Sequence, residues 1–372
     1  MAETKAMCFP HSIIGSVKRI SSQAGSSGRR ALLLSDILFL EQAEELQAML
    51  DGSGISTILF VREGLAPDSL TFDEVISIAR GSRSEIIISL GGEKVMFLGR
   101  LTAFAVKNSC SSTDFLKNDC NTIQNNSSSL PLIEIPSSGR HPFLFTDISF
   151  IYDFQGNRMV KINGCINPLK TTVVFDPSLF ARRSMLLTAL SLASIFSTAV
   201  EAYLSPFSGV FSNVQAERVI KTASGMLRKC RENYSDPDFL QQEAEIALLS
   251  SSSLSLTGAG PALLLSYAAA SVTGIPKSMV YPVIFQRMLD SPLYSSSHKT
   301  AELIPLINHD NKSLNADFSG QISLLFGIAG LPGRLKDSGS IFGDEIFSAA
   351  SIASEMSSMD EPLLREIIEK SV

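Results

Sequence analysis

Histidine is scarce in this chain of 372 residues: it has four, His11, His141, His298 and His309, and no two of them stand at helix spacing. A metal site built on histidines one turn apart is therefore not written into it. The five cysteines, Cys8, Cys110, Cys120, Cys165 and Cys230, lie far apart without a C-x-x-C pair, which excludes a zinc knuckle and a disulfide framework and leaves reduced thiols. A basic excess is also missing. Thirty-one Lys and Arg against 37 Asp and Glu give a formal charge of −6, which offers nothing to a phosphate backbone and excludes nucleic acid as a partner. Residues 1–10 lack the apolar run of a secretory signal, so a cytoplasmic location is expected. Residues 246–276 carry no charge, but the serines at 250–253 and Gly258, Gly260 and Pro261 break the stretch into pieces too short or too polar to cross a bilayer. Buried helices are expected there, not a membrane span. No internal repeat is visible.

What is present suits a globular protein of two domains, with 45% hydrophobic and 18% charged residues in a chain longer than one core usually serves. Short β-branched and leucine-rich runs at 31–34, 55–61 and 86–90 alternate with amphipathic stretches, the pattern of βαβ units and a largely parallel sheet. Ser35 and Asp36 are placed to cap a helix reaching residue 49, and Thr71-x-x-Glu74 reads as a capping box opening a helix over 72–80. The third strand runs through Gly91-Gly92 into a helix over 95–106, the arrangement that lets a phosphate approach backbone N–H groups beyond the carboxyl ends of strands. Residues 108–129 read as a polar surface excursion, 130–136 and 145–152 as further strands. After Asp176-Pro177 the periodicity becomes helical, over 185–203, 213–231, 237–250, 262–271, 278–289, 319–326, 344–359 and 362–370. The expectation is an α/β, Rossmann-like domain over 1–177 and an all-helical domain over 178–372, with a cleft between them.

Six landmarks, in order, carry a resemblance. Phe9-Pro10 with Gly15-Ser16 looks like the opening of the iron-containing alcohol dehydrogenase and glycerol dehydrogenase superfamily, and Ile88-Ser89-Leu90-Gly91-Gly92 like the strand before its G-G-G-S pyrophosphate loop. The segment 131–138 is similar to its P-L-I-A-I-P-T-T, Asp176-Pro177-Ser178-Leu179 to its D-P-x-L, Ala199-Val200-Glu201-Ala202-Tyr203 to its A-I-E-A-Y, and Gly274-Ile275-Pro276 to the stretch before its P-H-G. The resemblance implies a dehydroquinate synthase-like fold, NAD or NADP as cofactor, and a divalent iron or zinc held by an aspartate, a histidine four residues later and two further histidines.

Carried over position by position, those four ligand places fall on Ser194, Thr198, Leu263 and Lys277. None replaces the original ligand, since such a metal needs about three His, Cys, Asp or Glu side chains. No iron or zinc is therefore expected. Lys277 is open to two readings, a solvated surface residue or a cation standing where the metal's charge would sit. On the nucleotide side Gly91 and Gly92 remain, but Glu93 and Lys94 occupy the next two places; Glu93 can cap the helix where a pyrophosphate would lie, and Lys94 can offset it. The aspartate and lysine after that loop correspond to Phe97 and Arg100. The family's T-T-x-G-T-G-S-E reads Ser137-Ser138-Gly139-Arg140-His141-Pro142-Phe143-Leu144, which leaves Ser137 and Ser138 as cofactor candidates. Asp36 is placed to meet a ribose or to act as a helix cap, and Arg158 is either a counterpart of the family's next lysine or a turn-flanking cation.

Three functions follow as expectations. The first is a pseudoenzyme that has lost metal-dependent hydride transfer and keeps nucleotide or anion binding in the cleft. The second is an NAD(P)-dependent dehydrogenase of small alcohols or polyols with Lys277 as electrophile. The third is a structural subunit, as a homodimer or paired with an active relative.

Overall fold

The computed structural model describes residues 11–17, 20–117, 129–156, 158–295, 298–307, 317–338, 343–357 and 359–372. The chain divides into two compact units, one of residues 1–156 with 160–180, the other of 157–159 with 181–372.

In the first unit the apolar runs become strands β1 (His11–Ile14), β2 (Arg30–Asp36), β3 (Ser56–Arg62), β4 (Ile86–Gly91), β5 (Leu132–Pro136) and β8 (Thr171–Phe175). They form a six-stranded sheet in the order β1-β8-β5-β4-β2-β3, and every pairing is parallel. Every residue of β4 and β5 is buried, as the near-continuous apolar runs of a parallel sheet covered on both faces require. Helices Leu40–Gly52, Ser69–Gly81 and Glu93–Asn108 follow strands β2, β3 and β4. Val95, Met96, Leu98 and Phe104 of the last helix share a core with Phe72, Val75, Leu32 and Ile87. β6 (Ser149–Asp153) and β7 (Arg158–Ile162) make a separate two-stranded sheet.

Three local expectations are corrected. The helix expected over 72–80 starts earlier, at Ser69, because Asp68 is its cap: the carboxylate accepts from Leu70 N at 3.1 Å and Thr71 N at 2.9 Å. A carboxylate serves two of the orphan N–H groups, which the Thr71 hydroxyl cannot do; Thr71 donates to Asp68 instead, and Glu74 pairs with Arg62. The polar excursion over 108–129 contains a helix, Ser112–Lys117, tied down where Phe115 meets Phe72 and Phe104 edge-on and Ser112 donates to Asp73; residues 118–128 lie outside the described residues. The strand expected over 145–152 is shortened to Ser149–Asp153 because the chain before it is held by Arg100.

Arg100 and Glu134 are both fully buried. Arg100 Nε and Nη2 donate to the two oxygens of Glu134 at 2.7 and 2.9 Å, while Nη1 donates to the carbonyls of Phe143, Ile148 and Thr146 at 2.8, 3.0 and 3.4 Å. The guanidinium thus fastens the 143–148 segment to β5 and to the helix after β4.

The second unit is helical. Its central helix, Met185–Leu204, is long and apolar enough to span a bilayer, yet 83% of that window is buried inside the fold. The serines at 250–253 do not end a helix as expected: Pro237–Thr257 runs through them, because Ser250 donates to Ile195 O and Ser253 to Ser212 O, so buried hydroxyls are satisfied by carbonyls of neighbouring helices. The helix stops at Gly258, where φ is +80°, and the chain turns by 104° into Pro261–Thr273. Short helices at Pro292–Ser295 and Lys299–Ile307, not marked by periodicity, complete the described part between the expected ones. A second buried pair joins Arg183 to both oxygens of Glu243, at 2.8 and 2.6 Å, with Ser191 donating to the same carboxylate.

Glu134→Gln strips the Arg100 guanidinium of its buried counter-charge and should lower unfolding free energy by about 3–5 kcal/mol. Arg62→Gln, which breaks an exposed pair, should change it by less than about 1 kcal/mol. Urea unfolding followed by circular dichroism separates the two, and equal losses would show that burial of the Arg100 pair carries no special weight.

Candidate functional site

The sheet order brings three of the sequence candidates, Asp36, Gly91 and Ser137, together at one edge. Asp36, Gly91 and Pro136 end the adjacent strands β2, β4 and β5, in register as Ser35 with Leu90 and Gly91 with Pro136, and Ser137 N donates to Gly91 O at 2.8 Å. Gly91 has φ +147°, and a Cβ there would meet the Val95 side chain at 3.2 Å, so this turn is closed to other residues. Gly92 is the N-cap of the 16-residue helix Glu93–Asn108, has no side-chain cap, and has open space where a Cβ would stand. A phosphate could approach the N–H groups of that first turn, with Glu93 half-buried and Lys94 exposed beside it.

The other candidates are already engaged. Asp36 accepts from Leu38 N at 3.0 Å and caps the turn Ile37–Phe39. Ser137 and Ser138 are buried, and Arg140 Nε donates to the Ser138 hydroxyl at 3.2 Å. His141 and Phe143 are buried against Phe97, with ring centroids 5.1 and 6.1 Å apart, and Phe97 also meets Phe150 at 5.3 Å. His141 and Phe143 are thus packed into hydrocarbon, whereas the Gly91-Gly92 turn leaves open space before the helix start. Arg158 opens β7 with its side chain 41% exposed, 3.4 Å from Glu355.

In the helical unit three of the four positions carried over from the resemblance, Thr198, Leu263 and Lys277, meet Tyr281 or Glu201. Ser194 and Thr198 are one turn apart on Met185–Leu204; Ser194 donates to Leu190 O at 2.8 Å, and Thr198 Oγ1 stands 3.4 Å from the hydroxyl of Tyr281. Lys277 is 6% exposed, which corrects the surface reading. Its ammonium lies over the rings of Tyr267 and Tyr281, 5.0 and 5.8 Å from their centroids, within the range at which a ring face attracts a cation.

At the centre is Glu201, a residue the sequence reading left without a role. Its carboxylate accepts from Tyr281 OH at 2.7 Å, Ala262 N at 2.8 Å, Leu263 N at 3.1 Å and Tyr294 OH at 3.2 Å. It therefore caps the helix Pro261–Thr273 from a distance, and Gly260 is obligatory because a Cβ there would fall 2.3 Å from the carboxyl group. Burial pushes the Glu201 carboxyl up to about 7, against the four hydrogen bonds that favour its charged form. Burial and the neighbouring Glu201 likewise raise Tyr281 and Tyr294 well above the ordinary phenol range, so neither is an acid near neutrality. A signal for Glu201 was present: it is the one charged residue in the 20-residue helix Met185–Leu204, and a lone carboxylate in such a helix demands buried donors.

A divalent ion does not fit these positions. One hydroxyl is committed within its own helix, another to a phenol, Leu263 offers only its N–H, and the fourth place holds a cation. Among the described residues no three His, Cys, Asp or Glu side chains are grouped to hold a metal; His309 lies outside them.

The family model described as iron-containing alcohol dehydrogenase matches residues 10–177. In sequence the chain is 24% identical over 226 residues to long-chain-alcohol dehydrogenase 1 of Geobacillus thermodenitrificans, an alignment covering 60% of this chain and 55% of that one, so the match spans about half the relative's length. In structure it is similar to an archaeal halo-thermophilic alcohol dehydrogenase from a Red Sea brine pool, with a TM-score of 0.85, 16% identity and coverage of 99% of this chain and 98% of that one. A 1,3-propanediol oxidoreductase gives 0.84, 16%, 98% and 99%, and an alcohol dehydrogenase from Oenococcus oeni 0.83, 16%, 99% and 100%. At such identities the structural likeness establishes the fold.

Between the usual carboxylate value of 4.5 and about 7, native Glu201 keeps a proton that the unfolded chain has released. Its contribution to stability is complete below pH 4.5 and is lost as pH rises through about 7, a loss on the order of 3 kcal/mol. Thermal unfolding between pH 5 and 8 should show the melting temperature falling in the natural protein and flattening in Glu201→Gln; an unchanged slope in the variant would remove Glu201 as its source.

Proposed function

We propose that this chain is a divergent member of the iron-containing alcohol dehydrogenase superfamily, to whose family model, curated relative and solved structures it is similar, in which metal-dependent hydride transfer is lost and the scaffold is kept for binding a nucleotide or a small anion. The observation that carries this reading is the state of positions 194, 198, 263 and 277, where a buried ammonium, an aliphatic side chain and two committed hydroxyls stand in place of ligands. Taking hydride from an alcohol requires the developing alkoxide to be stabilised, a service a Lewis acid supplies at several kcal/mol, and each ~1.4 kcal/mol withheld slows the step about tenfold. The binding half of the reading is supported by the Gly91-Gly92 turn, whose form rests on backbone, and by the uncapped helix start behind it. The hydrocarbon around His141 and Phe143 favours a ligand without a nicotinamide, though NAD and NADP are the cofactors the family would supply. A cytoplasmic location goes with this reading.

One observation favours a second reading, an active NAD(P)-dependent oxidoreductase: the burial of Lys277, since a desolvated lysine is the electrophile such a mechanism would need. Metal analysis after dialysis, fluorescence titration with NADH, NADPH and ADP, and aldehyde reduction with and without added zinc or ferrous iron separate the two. The expected result is metal far below one equivalent, saturable binding of ADP, and no turnover under any metal condition. Stoichiometric metal would overturn the first reading; turnover without metal that disappears in Lys277→Met would establish the second.

A further inference from the structure

The misfit at the ligand positions has a positive content. Thr198, Leu263 and Lys277 do not simply fail to coordinate an ion; they converge on the same two side chains. Tyr281 OH lies 3.4 Å from Thr198 Oγ1 and donates at 2.7 Å to Glu201 Oε2, the oxygen that also accepts Leu263 N at 3.1 Å. Lys277, one turn before Tyr281 on the helix Lys277–Leu289, lays its ammonium over that same ring at 5.8 Å and over Tyr267, from the helix Pro261–Thr273, at 5.0 Å. A charge with 6% exposure needs negative potential around it. Ring faces within about 6 Å provide it, and a phenol that donates a short hydrogen bond to a carboxylate gathers electron density on its ring. The order is ammonium, ring face, hydroxyl, carboxylate, helix N-terminus, running through Met185–Leu204, Pro261–Thr273 and Lys277–Leu289.

We infer that the Lys277 ammonium is a built-in cation that ties the helices Pro261–Thr273 and Lys277–Leu289 together through two tyrosine faces and, through the Tyr281 hydroxyl, positions both against Glu201 of Met185–Leu204, a part that an added divalent ion would otherwise play. The inference rests on the reading above that no metal is bound there. It makes the helical unit complete without any metal and gives Lys277 a positioning role in place of a catalytic one. It also separates Lys277 from an ordinary buried lysine, because its worth depends on the tyrosine faces.

A double-mutant cycle on the full chain tests this. Lys277→Met keeps the length of the side chain and removes its charge, and should lower the melting temperature by roughly 5 °C or more. Made in a Tyr267→Leu background, the same change should cost no more than about half as much, because part of its partner is already gone. The wild-type melting temperature should be the same in EDTA and in millimolar zinc. Equal losses from Lys277→Met in both backgrounds would overturn the inference. Should Lys277→Met fail to fold, the wild type decides alone: the ε-methylene protons of Lys277 should be shifted upfield by the two rings in its proton spectrum, and a lysine shift typical of solvent would overturn it. One equivalent of bound metal would instead defeat the reading on which the inference rests, so the two failures are told apart.

Discussion

Arg100 and Glu134 share a space from which water is excluded, and the first unit is arranged around satisfying them. A buried ion pair is worth keeping only if every remaining donor is used, and Arg100 uses its fork on the carboxylate and its other nitrogen on three carbonyls of the 143–148 segment. That segment therefore cannot drift, and with it are fixed Ser137 and Ser138, the packing of Phe143 and His141 on Phe97, and the start of β6. The edge of the sheet where β2, β4 and β5 end has its shape because one guanidinium, planted in the helix after β4, reaches across to the next strand and the loop beyond.

Glu201 plays the corresponding part in the helical unit with a different balance. No guanidinium answers it; two phenols and the first turn of a helix do. Four donors draw the carboxyl toward its charged form and burial opposes them, leaving it near 7, so it is neither a fixed charge nor a fixed acid at neutral pH. The helix N-terminus gains compensation of its dipole when the carboxylate form is present, and the need for Gly260 follows from the closeness of the two. Thr198, Leu263 and Lys277 are thus part of a network whose members satisfy one another, and an ion inserted there would have to displace a phenol and an ammonium to reach a lone pair.

Much of the fold was legible because periodicity reports burial. The runs at 31–34, 55–61 and 86–90 became β2, β3 and β4, and the long helices of the second half lie where 3.6-residue spacing put them. Short elements were not legible: β1 has four residues, and its place at the sheet edge beside β8 is a tertiary fact. Asp68 was passed over because Thr71-x-x-Glu74 satisfied a pattern, although pattern matching does not ask which acceptor reaches the most N–H groups. The serines at 250–253 looked like a break because hydroxyls are read as polar, when inside a helix they bond to carbonyls at hand. Lys277 was hardest. Nothing in one sequence says that two tyrosines, one 10 residues before it and one a turn after, will enclose it.

The Gly91-Gly92 turn of the first unit and the Glu201 network of the second tolerate substitution differently, and the reason is chemical. A phosphate turn consists of main-chain N–H groups, a helix start and the glycines that let a ligand come close; substitutions around it, such as Glu93 and Lys94, alter the local charge while the turn survives as long as Gly91 does. A metal site consists of side chains, and each change from a carboxylate or imidazole to a hydroxyl, an isobutyl group or an ammonium deletes a ligand outright. Once one ligand is gone the others are buried polar groups with no ion to satisfy them, a condition that favours replacement by whatever packs or pairs with the neighbours. Thr198 beside a phenol, Leu263 in the core and Lys277 on two rings each pack or pair with their neighbours in this way. The turn and the side-chain network therefore differ in kind: the first is defined by main-chain N–H groups and a glycine, the second by buried side chains that satisfy one another.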